Sequence, residues 1–475
     1  MSDITAPTGL FDRAIRRITT VWRDMADRVS TDEDQGIASQ MRACLDARGG
    51  EVSARNRAAK LAQAYLTLDA EGRKGFLRDL ASFDSDPEAV ARAYEAMRTA
   101  TDAAERATAK VRLRRALEPP RVRLLTQFTT IPDGMKFLVD LRATLLELTR
   151  SDPYLAALDS DMRGLLASWF DVGFLELQRI DWNSPAVLLE RLVGYEAVHE
   201  IRSWSDLKNR LDSDRRCYAL FHHRMPSEPL IFVEVALVRG LSDSVQRLLD
   251  KKAPLLDPKD ADTAIFYSIS NCQRGLAGIS FGNFLIKRVV ELLGAEFRNL
   301  KTFATLSPIP GFGKWLDAKL AEGDPALLSE EEATSLRAAA LGGASVVAPG
   351  GASISMTGPQ ALDAILKQRG WFRDPALQKA VEPALVRLAA RYLMVEARGS
   401  RALDPVAHFH LSNGARVERI IMGADTGGKG VRESATLMVN YLYDPAKIEE
   451  YHEDYAGDGK RNASTAVRRM ARGWA

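Results

Sequence analysis

Ser307 is the residue whose setting most invites a chemical interpretation. It ends a short apolar run and is followed at once by Pro308, Pro310 and Gly311, in the stretch ATLSPIPGFGKWL. It is either a turn residue that begins a loop or a hydroxyl that the prolines hold still. It does not match a hydrolase nucleophile, because Ser307 does not lie in a G-x-S-x-G motif and Pro308 has no N–H to offer an oxyanion. A functional Ser307 is therefore expected to hydrogen-bond or to relay a proton.

A second candidate group is the pair His408 and His410, in the segment AHFHLSNGARVERII. Its alternation and the turn signal Asn413-Gly414 predict two strands of a hairpin, with both imidazoles on one strand face. Paired histidines can bind a metal ion, but no carboxylate or third ligand stands at a supporting spacing. A packing or hydrogen-bonding role and a role as proton donor remain open for them.

The third candidate is a glycine-rich junction between residues 265 and 293. An apolar strand, IFYSIS, is followed by Gly275, Gly278 and Gly282, and then by a predicted helix. Glycines at such a junction let backbone N–H groups approach a phosphate, and the helix N-terminus adds partial positive charge. We expect phosphate or pyrophosphate binding here, against the alternative of a turn chosen for tight packing. The spacing does not match the dinucleotide fingerprint G-x-G-x-x-G.

The stretch GADTGGKG, from Gly423 to Gly430, resembles a P-loop but departs from it in two ways. Gly430 stands where the Mg²⁺-binding Ser or Thr belongs, and RESATLMVNYLYD after it is predicted to be a strand where a P-loop requires a helix. The sequence favours a flexible loop without nucleotide.

The elements that must position these residues fall into two parts. Apolar residues at helical spacing predict a helical bundle to about residue 175, including a helix start at Asp86-Pro87. After that, β-rich runs such as LIFVEVALV, AIFYSIS and TFATL alternate with helical segments. The predicted fold class is therefore α+β, with an all-α part followed by a mixed α/β part.

Bulk composition excludes several functional classes. The 475 residues carry a net charge of only +2, which argues against a dedicated nucleic-acid or membrane-surface binder. No uncharged apolar run is long enough to span a bilayer. Three widely spaced cysteines form no metal-type pair and suggest a reducing compartment, so a cytoplasmic location is expected.

Several motifs together resemble the malonyl-CoA decarboxylase family. They are, in order along the chain, RRCYALFHHRMPSEPLIFVEVAL, AIFYSISNCQRGLAGISFGNFLIKRVV, FATLSPIPGFGKWL, FHLSNGARVERI and LMVNYLY. The resemblance runs from about Trp169 to Tyr443, and SPIPGF with FHLSNGA is its most specific part. The helical first third is compatible with the family but is less diagnostic.

The resemblance implies a division of the chain and a set of roles. Residues 1–175 would be a helical oligomerisation domain of a dimer or tetramer, and residues 176–475 a catalytic domain with the fold of GCN5-related acetyltransferases. The family's catalytic serine and histidine map onto Ser307 and His410. Its coenzyme A loop maps onto seven residues: Ala277, Gly278, Ile279, Ser280, Phe281, Gly282 and Asn283. Some members carry a glutamate where this chain has Ser280, so no carboxylate role is assigned there.

The implied reaction explains the residue types. Loss of CO₂ from a malonyl thioester leaves an enolate, which needs hydrogen-bond donors in a dry site and then a proton on carbon. Histidine would supply the proton and Ser307 would position or relay, with no metal or organic cofactor, since the thioester is the electron sink. Two alternatives stay open on the same fold: a coenzyme A-dependent acyltransferase, and a non-catalytic coenzyme A-binding regulator.

Overall fold

The structure is a computed structural model that describes residues 21–25, 36–46, 50–149, 152–279, 285–341 and 356–472. The first part is helical, as the sequence predicts. A short helical segment at 21–25 precedes eight helices: α1 (Ile37–Leu45), α2 (Gly50–Thr67), α3 (Ala70–Ser82), α4 (Pro87–Thr99), α5 (Ala103–Leu117), α6 (Pro120–Phe128), α7 (Gly134–Leu148) and α8 (Pro153–Trp169).

Side-chain caps fix where many of these helices begin. Asp86 accepts the N–H of Glu88 and is followed by proline in the first turn, so the predicted helix start is confirmed. Asp102 and Asp152 cap α5 and α8 in the same way. The helices enclose their own core, with aromatic side chains at its centre: Trp22, Tyr65, Phe76, Phe128 and Phe137. The boundary near residue 175 stays a prediction.

The second part is built on one mixed sheet. Its strands are β1 (Leu175–Ile180), β2 (Arg215–His222), β3 (Ile231–Val238), β4 (Thr263–Asn271), β5 (Thr302–Thr305), β6 (Ser307–Pro308), β9 (Arg416–Ile421) and β10 (Met438–Tyr443). The order across the sheet is β1-β2-β3-β4-β5-β10-β6, with β9 also on β10. A separate two-stranded ribbon joins β7 (Ala397–Arg398) to β8 (Arg401–Ala402).

Helices cover the sheet and carry parts of the site. They are α9 (Ala186–Tyr195), α10 (Trp204–Arg210), α11 (Val245–Leu248), α12 (Leu285–Glu296), α13 (Phe312–Glu322), α14 (Glu330–Ala340), α15 (Gly358–Leu366), α16 (Pro375–Met394), α17 (Pro405–Ser412), α18 (Gly428–Ser434), α19 (Ile448–Asp458) and α20 (Thr465–Ala471). The predicted succession of an all-α part and a mixed α/β part is therefore confirmed. Among the described residues, no helix has the length and apolar character needed to cross a membrane.

The sheet opens between two neighbouring strands. Strand β4 pairs in parallel with β5 from Thr263 opposite Thr302 to Phe266 opposite Thr305. Beyond that point β4 continues to Asn271 paired only with β3, whereas the chain after β5 turns to pair Ser307 with Val439 of β10. The two strands therefore part in the middle of the sheet, at the position of Ser307.

The predicted hairpin around Asn413-Gly414 is wrong in its first strand, whereas its second strand is present as β9. Residues Pro405–Ser412 form helix α17, which begins at the capping carboxylate of Asp404. Gly414 ends it in a left-handed conformation with φ +79°, while the N–H of Ala415 returns to the carbonyl of His410. Asn-Gly here is a helix terminus, because glycine at positive φ serves either purpose.

The stretch Gly423 to Gly430 is also more ordered than predicted. Its first half is a turn in which the carboxylate of Asp425 accepts the N–H of Gly427 and the side-chain amide of Gln246. Its second half begins helix α18, so the strand predicted after Gly430 starts only at Met438. A side chain at Gly430 would overlap the Asp425 carboxylate, which gives this glycine a packing role.

Candidate active site

Ser307 and His410 meet where strands β4 and β5 part. Ser307 is the first residue of β6, and His410 lies in the last turn of α17. Their Oγ and Nε2 atoms are 3.0 Å apart, although the residues are separated by 103 positions in sequence. The structure therefore brings together the serine and the histidine that the resemblance singles out.

The serine hydroxyl is held from the strand before it. Ser307 Oγ donates to Thr305 Oγ1 over 2.9 Å, and Thr305 Oγ1 also accepts the backbone N–H of Tyr441 over 3.1 Å. The side-chain amide of Asn440 in turn donates to the Thr305 carbonyl over 2.7 Å. Strand β10 thus fixes Thr305, and Thr305 fixes the direction of the Ser307 hydroxyl.

The imidazole of His410 is enclosed by two tyrosines of the same strand. Its Nδ1 lies 2.8 Å from the hydroxyl of Tyr443, and its ring stacks on that of Tyr441 with centroids 4.5 Å apart and planes inclined by 24°. Burial raises the pKa of Tyr443 well above its ordinary value, so its hydroxyl stays protonated. When that hydroxyl donates to Nδ1, the ring carries its proton on Nε2, facing Ser307.

Burial keeps the imidazole of His410 neutral. The residue is only 2% exposed, and burial alone lowers its pKa to about 3. A histidine that donates a proton usually titrates near neutrality, and the buried imidazole of His410 does not. A proton donor at this position needs a partner that stabilises the charged ring.

The dyad lines a cleft of about 240 Å³. Apart from the dyad, most of the wall is apolar, and the polar side chains on it belong to strand β4. The lining residues are Val198, Phe266, Tyr267, Ser268, Ile269, Asn271, Ser307, Pro308, Pro405, Val406, Phe409 and His410. Such a lining excludes water from reacting groups and strengthens every electrostatic interaction inside.

His408 takes no part in this site. Its Nδ1 lies 2.9 Å from the hydroxyl of Tyr455 on α19, whereas His410 turns toward β6 and β10. Side chains two residues apart on a helix point in different directions. His408 and His410 lie on a helix and not on the predicted strand, so they do not share a face. Within the described ranges, histidines, cysteines and carboxylates form no cluster of three that could hold a metal ion.

The glycine-rich junction has the predicted order of strand, turn and helix, and its glycines differ. A side chain at Gly275 would overlap the carbonyl of Val139, so this glycine allows two segments to pack closely. Gly278 adopts φ +77° with open space around it. Ser280, Phe281, Gly282 and Asn283 lie outside the described residues.

The described part of the predicted coenzyme A loop offers few free donors. The N–H groups of Ala277 and Ile279 already donate to carbonyls of the preceding turn, over 3.1 Å and 3.0 Å. The nearby Lys287 pairs with Glu449 and Arg288 with Glu291. Of the three described loop residues, Gly278 is the one at positive φ, and the pyrophosphate site stays a prediction.

Sequence reasoning missed the residues that orient the dyad. Thr305, Tyr441 and Tyr443 lie within the motifs FATLSPIPGFGKWL and LMVNYLY but were assigned no role, yet each contacts Ser307 or His410. One signal was present: in LMVNYLY the two tyrosines are two residues apart, which places them on one face of a strand. Val198, on the far wall, has no sequence signal.

Comparison with known proteins decides the family. The malonyl-CoA decarboxylase N-terminal domain matches residues 83–170, and the malonyl-CoA decarboxylase C-terminal domain matches residues 173–474. This chain belongs to the malonyl-CoA decarboxylase family. Against the mitochondrial malonyl-CoA decarboxylase of Anser anser anser it is 36% identical over 408 residues, which cover 82% of this chain and 78% of that protein.

Other members of the malonyl-CoA decarboxylase family show the same level of similarity. The mitochondrial enzyme of Mus musculus is 37% identical over 383 residues, covering 78% of this chain and 74% of that protein. The crystal structure of malonyl-CoA decarboxylase from Rhodopseudomonas palustris superposes with a TM-score of 0.80 at 41% identity, covering 91% of this chain and 98% of that one. The Agrobacterium vitis structure gives 0.78 at 39% identity, covering 92% and 99%.

Proposed function

We propose that this protein converts malonyl-CoA to acetyl-CoA and CO₂, with Ser307 and His410 as the reacting pair. The observation that carries the proposal is the 3.0 Å contact between Ser307 Oγ and His410 Nε2 in the wall of an apolar cleft. Membership of the malonyl-CoA decarboxylase family supports the same substrate and reaction.

The cleft suits a reaction that makes an enolate. When the bond between C2 and the carboxylate breaks, its electron pair moves into the thioester and leaves negative charge on the carbonyl oxygen. Hydroxyl and N–H donors in a site without bulk water stabilise such charge far better than solvent does. The thioester is itself the electron sink, so the proposal invokes no metal ion and no organic cofactor.

The proton that completes acetyl-CoA comes from His410 in this proposal. The overall reaction consumes one proton, since malonyl-CoA enters as a carboxylate and leaves as neutral CO₂ and a methyl group. An opposite charge nearby favours the protonated imidazole, so the arriving malonyl carboxylate raises the pKa of His410 from about 3. The ring takes its second proton from solvent at Nδ1 as the substrate binds, and the Tyr443 hydroxyl turns to accept it. After CO₂ leaves, Nε2–H gives its proton to C2, and the ring is left neutral with its proton on Nδ1.

Ser307 has a positioning and relaying role in this scheme. Its hydroxyl lies between His410 and Thr305, so it can hold the malonyl group against Nε2 or pass the proton to it. Pro308 has no backbone N–H, so Ser307 contributes the hydrogen-bonding group of this turn through its side chain. The chain after β5 thus presents one fixed hydroxyl group to the cleft.

We place the coenzyme A pyrophosphate at the glycine loop from Ala277 to Asn283. The loop follows β4, the strand that lines the cleft, and precedes helix α12, so a bound thioester could reach the dyad while its phosphates stay at the loop. Gly278, at positive φ and with open space around it, supports this placement.

Incubation of the purified protein with malonyl-CoA, without an amine acceptor or added metal, tests the proposed function. We expect equal amounts of CO₂ and acetyl-CoA, and the same rate in the presence of a chelator. An acyltransferase would turn over only when an acceptor amine is supplied. A regulator would bind the thioester without consuming it. Loss of activity on chelation, restored by a divalent ion, would contradict the metal-free reaction.

Self-association is proposed for the helical part. Helices α4 and α5 pack on each other. Of all the residues in these two helices, Ala109 is the one that is buried. Two of their apolar side chains, Tyr94 and Val111, are 52% and 59% exposed. A dimer or tetramer would cover this apolar surface. Light scattering at micromolar concentration should give a multiple of 52.4 kDa, and a monomer would contradict the proposal.

A cytoplasmic location is likewise a proposal. The three cysteines, Cys44, Cys217 and Cys272, are all buried and unpaired, which is typical of a reducing compartment. Two relatives carry mitochondrial names. Fractionation of cells with a specific antibody decides between the two locations.

A further inference from the structure

The carboxylate of Asp404 contacts both the helix that carries His410 and the turn that follows Ser307, although it does not line the cleft. It stands at the N-terminus of α17, where one oxygen accepts the N–H groups of Val406 and Ala407 over 3.0 Å and 2.9 Å. The other oxygen faces the N–H of Gly311, 3.4 Å away, in the turn that follows Ser307. Asp404 is fully buried.

Gly311 makes room for a third group at this carboxylate, the hydroxyl of Tyr392. A side chain at this position would overlap the hydroxyl of Tyr392, which is itself hydrogen-bonded to Asp404. The loop Ser307 to Gly311 and the start of α17 are therefore joined through one carboxylate. His410 lies six residues after that carboxylate, on the helix it caps.

We propose that Asp404 is a positioning residue that sets the distance between Ser307 and His410. One oxygen orients the helix that carries the imidazole, and the other anchors the loop that carries the hydroxyl. The inference rests on the dyad that the proposed function uses, but it concerns how the dyad is held rather than what it does.

The surroundings of Asp404 indicate a function beyond helix capping. The groups that face it are the N–H groups of Gly311, Val406 and Ala407, the hydroxyl of Tyr392 from α16, and the ring of Tyr441 from β10. Burial raises the pKa of this carboxyl to about 6, because these donors offset only part of the lost hydration. An exposed aspartate would cap the helix without that cost.

The raised pKa has a definite consequence for stability. The ordinary pKa is 3.8, so between that value and about 6 the folded protein holds a proton that the unfolded chain releases. The contribution of this proton to the free energy of unfolding is fully present below pH 3.8 and is lost as the pH rises through about 6. Asparagine does not titrate, so Asp404→Asn does not show this loss. We therefore expect the difference in melting temperature, variant minus parent, to become more positive from pH 4 to pH 7.

The first test is therefore Asp404→Asn at pH 7. We expect kcat to fall about tenfold, because a small misplacement of reacting groups is costly, while KM stays within twofold. The melting temperature should not fall in parallel. Asp374→Asn is the matched control, since Asp374 also precedes a proline and accepts two N–H groups, at the exposed start of α16. The control should keep the parental kcat.

The pH profile separates positioning from a purely structural role. In the parent, kcat should decline as the pH falls through about 6, because protonation weakens the acceptor that holds Gly311 and α17. Asp404→Asn should lack this decline. Tyr392→Phe removes one hydrogen-bond donor to the carboxylate and should raise its pKa further. The decline in kcat should therefore move to higher pH. A purely structural role predicts no movement.

The imidazole ¹⁵N resonances of His410 provide a readout that needs no turnover. They should shift in Asp404→Asn and stay unchanged in Asp374→Asn. If the parent released no CO₂ but the resonances shifted, the proposed reaction would fail and the positioning role would stand. Parental kcat in Asp404→Asn, with unchanged His410 resonances, would overturn the positioning role.

Discussion

The two walls of the cleft are built on different principles. On one side, strand β4 contributes the polar side chains of Ser268 and Asn271 and leads into the loop that contains Gly278. On the other side, β6, α17 and β10 present side chains that hold one another by hydrogen bonds. In the proposed function, the first wall binds the coenzyme A carrier and the second wall performs the chemistry.

This difference predicts that binding and turnover can be separated by mutation. Changes on the β4 side should raise KM with kcat retained, and changes on the β6 and α17 side should lower kcat with binding retained. The variants below test that division, from the largest expected effect to the smallest.

His410→Asn should reduce kcat about a hundredfold or more, the usual scale for loss of a general acid. Coenzyme A affinity should stay nearly unchanged, because the loop from Ala277 lies on the other wall. Steady-state kinetics and calorimetric titration with coenzyme A measure the two effects. If the histidine only packs, the variant will lose stability but keep full activity per folded molecule.

Ser307→Ala should reduce kcat at least about tenfold. The variant removes a hydroxyl that bonds to His410 and Thr305, and a bond to a charged group contributes about 1.5–3 kcal/mol. Pre-steady-state measurement of CO₂ release isolates the chemical step. Retention of the parental rate would assign Ser307 to the loop structure alone.

Gly278→Val should raise KM for malonyl-CoA about tenfold and leave kcat within twofold. A β-branched residue is strained at φ +77° and narrows the approach to the loop backbone. Gly240→Val is the matched control, because Gly240 has φ +68° and equally open space but lies in another turn. Equal effects of the two variants on KM would mean that the loop at Gly278 is structural.

Tyr443→Phe should lower kcat about fivefold, which corresponds to one neutral hydrogen bond of about 1 kcal/mol. Without the hydroxyl at 2.8 Å, Nδ1 of His410 loses the donor that keeps the ring proton on Nε2. Proton-detected imidazole spectra should show a change of tautomer in this variant. An unchanged tautomer with reduced kcat would contradict that explanation.

His408→Asn should have the smallest effect, within about twofold in kcat. Its imidazole contacts Tyr455 on α19 and stays outside the cleft. The same assay as for His410→Asn provides the comparison. A loss of kcat as large as that of His410→Asn would mean that the two histidines act together. Such joint action would fit the predicted strand, which placed both imidazoles on one face.

The sequence predicted the β4 wall better than the α17 wall, for a physical reason. Strand, glycines and helix follow one another locally between residues 265 and 293, so local pattern suffices. The segment AHFHLS fits both a strand and one face of a short helix, and only Asp404-Pro405 before it marks a helix start. The contacts of Thr305 with Ser307 and of Tyr443 with His410 arise from tertiary packing and leave little trace in the sequence.

The central claim is that Ser307 and His410 act as one unit, and a double-mutant cycle tests it most directly. CO₂ release should be measured for the parent, Ser307→Ala, His410→Asn and the double variant, with coenzyme A binding and thermal melts recorded beside each. We predict that the double variant is about as slow as the slower single variant. Losses that multiply, in folded proteins that still bind coenzyme A, would show that the two residues act independently and would contradict the claim.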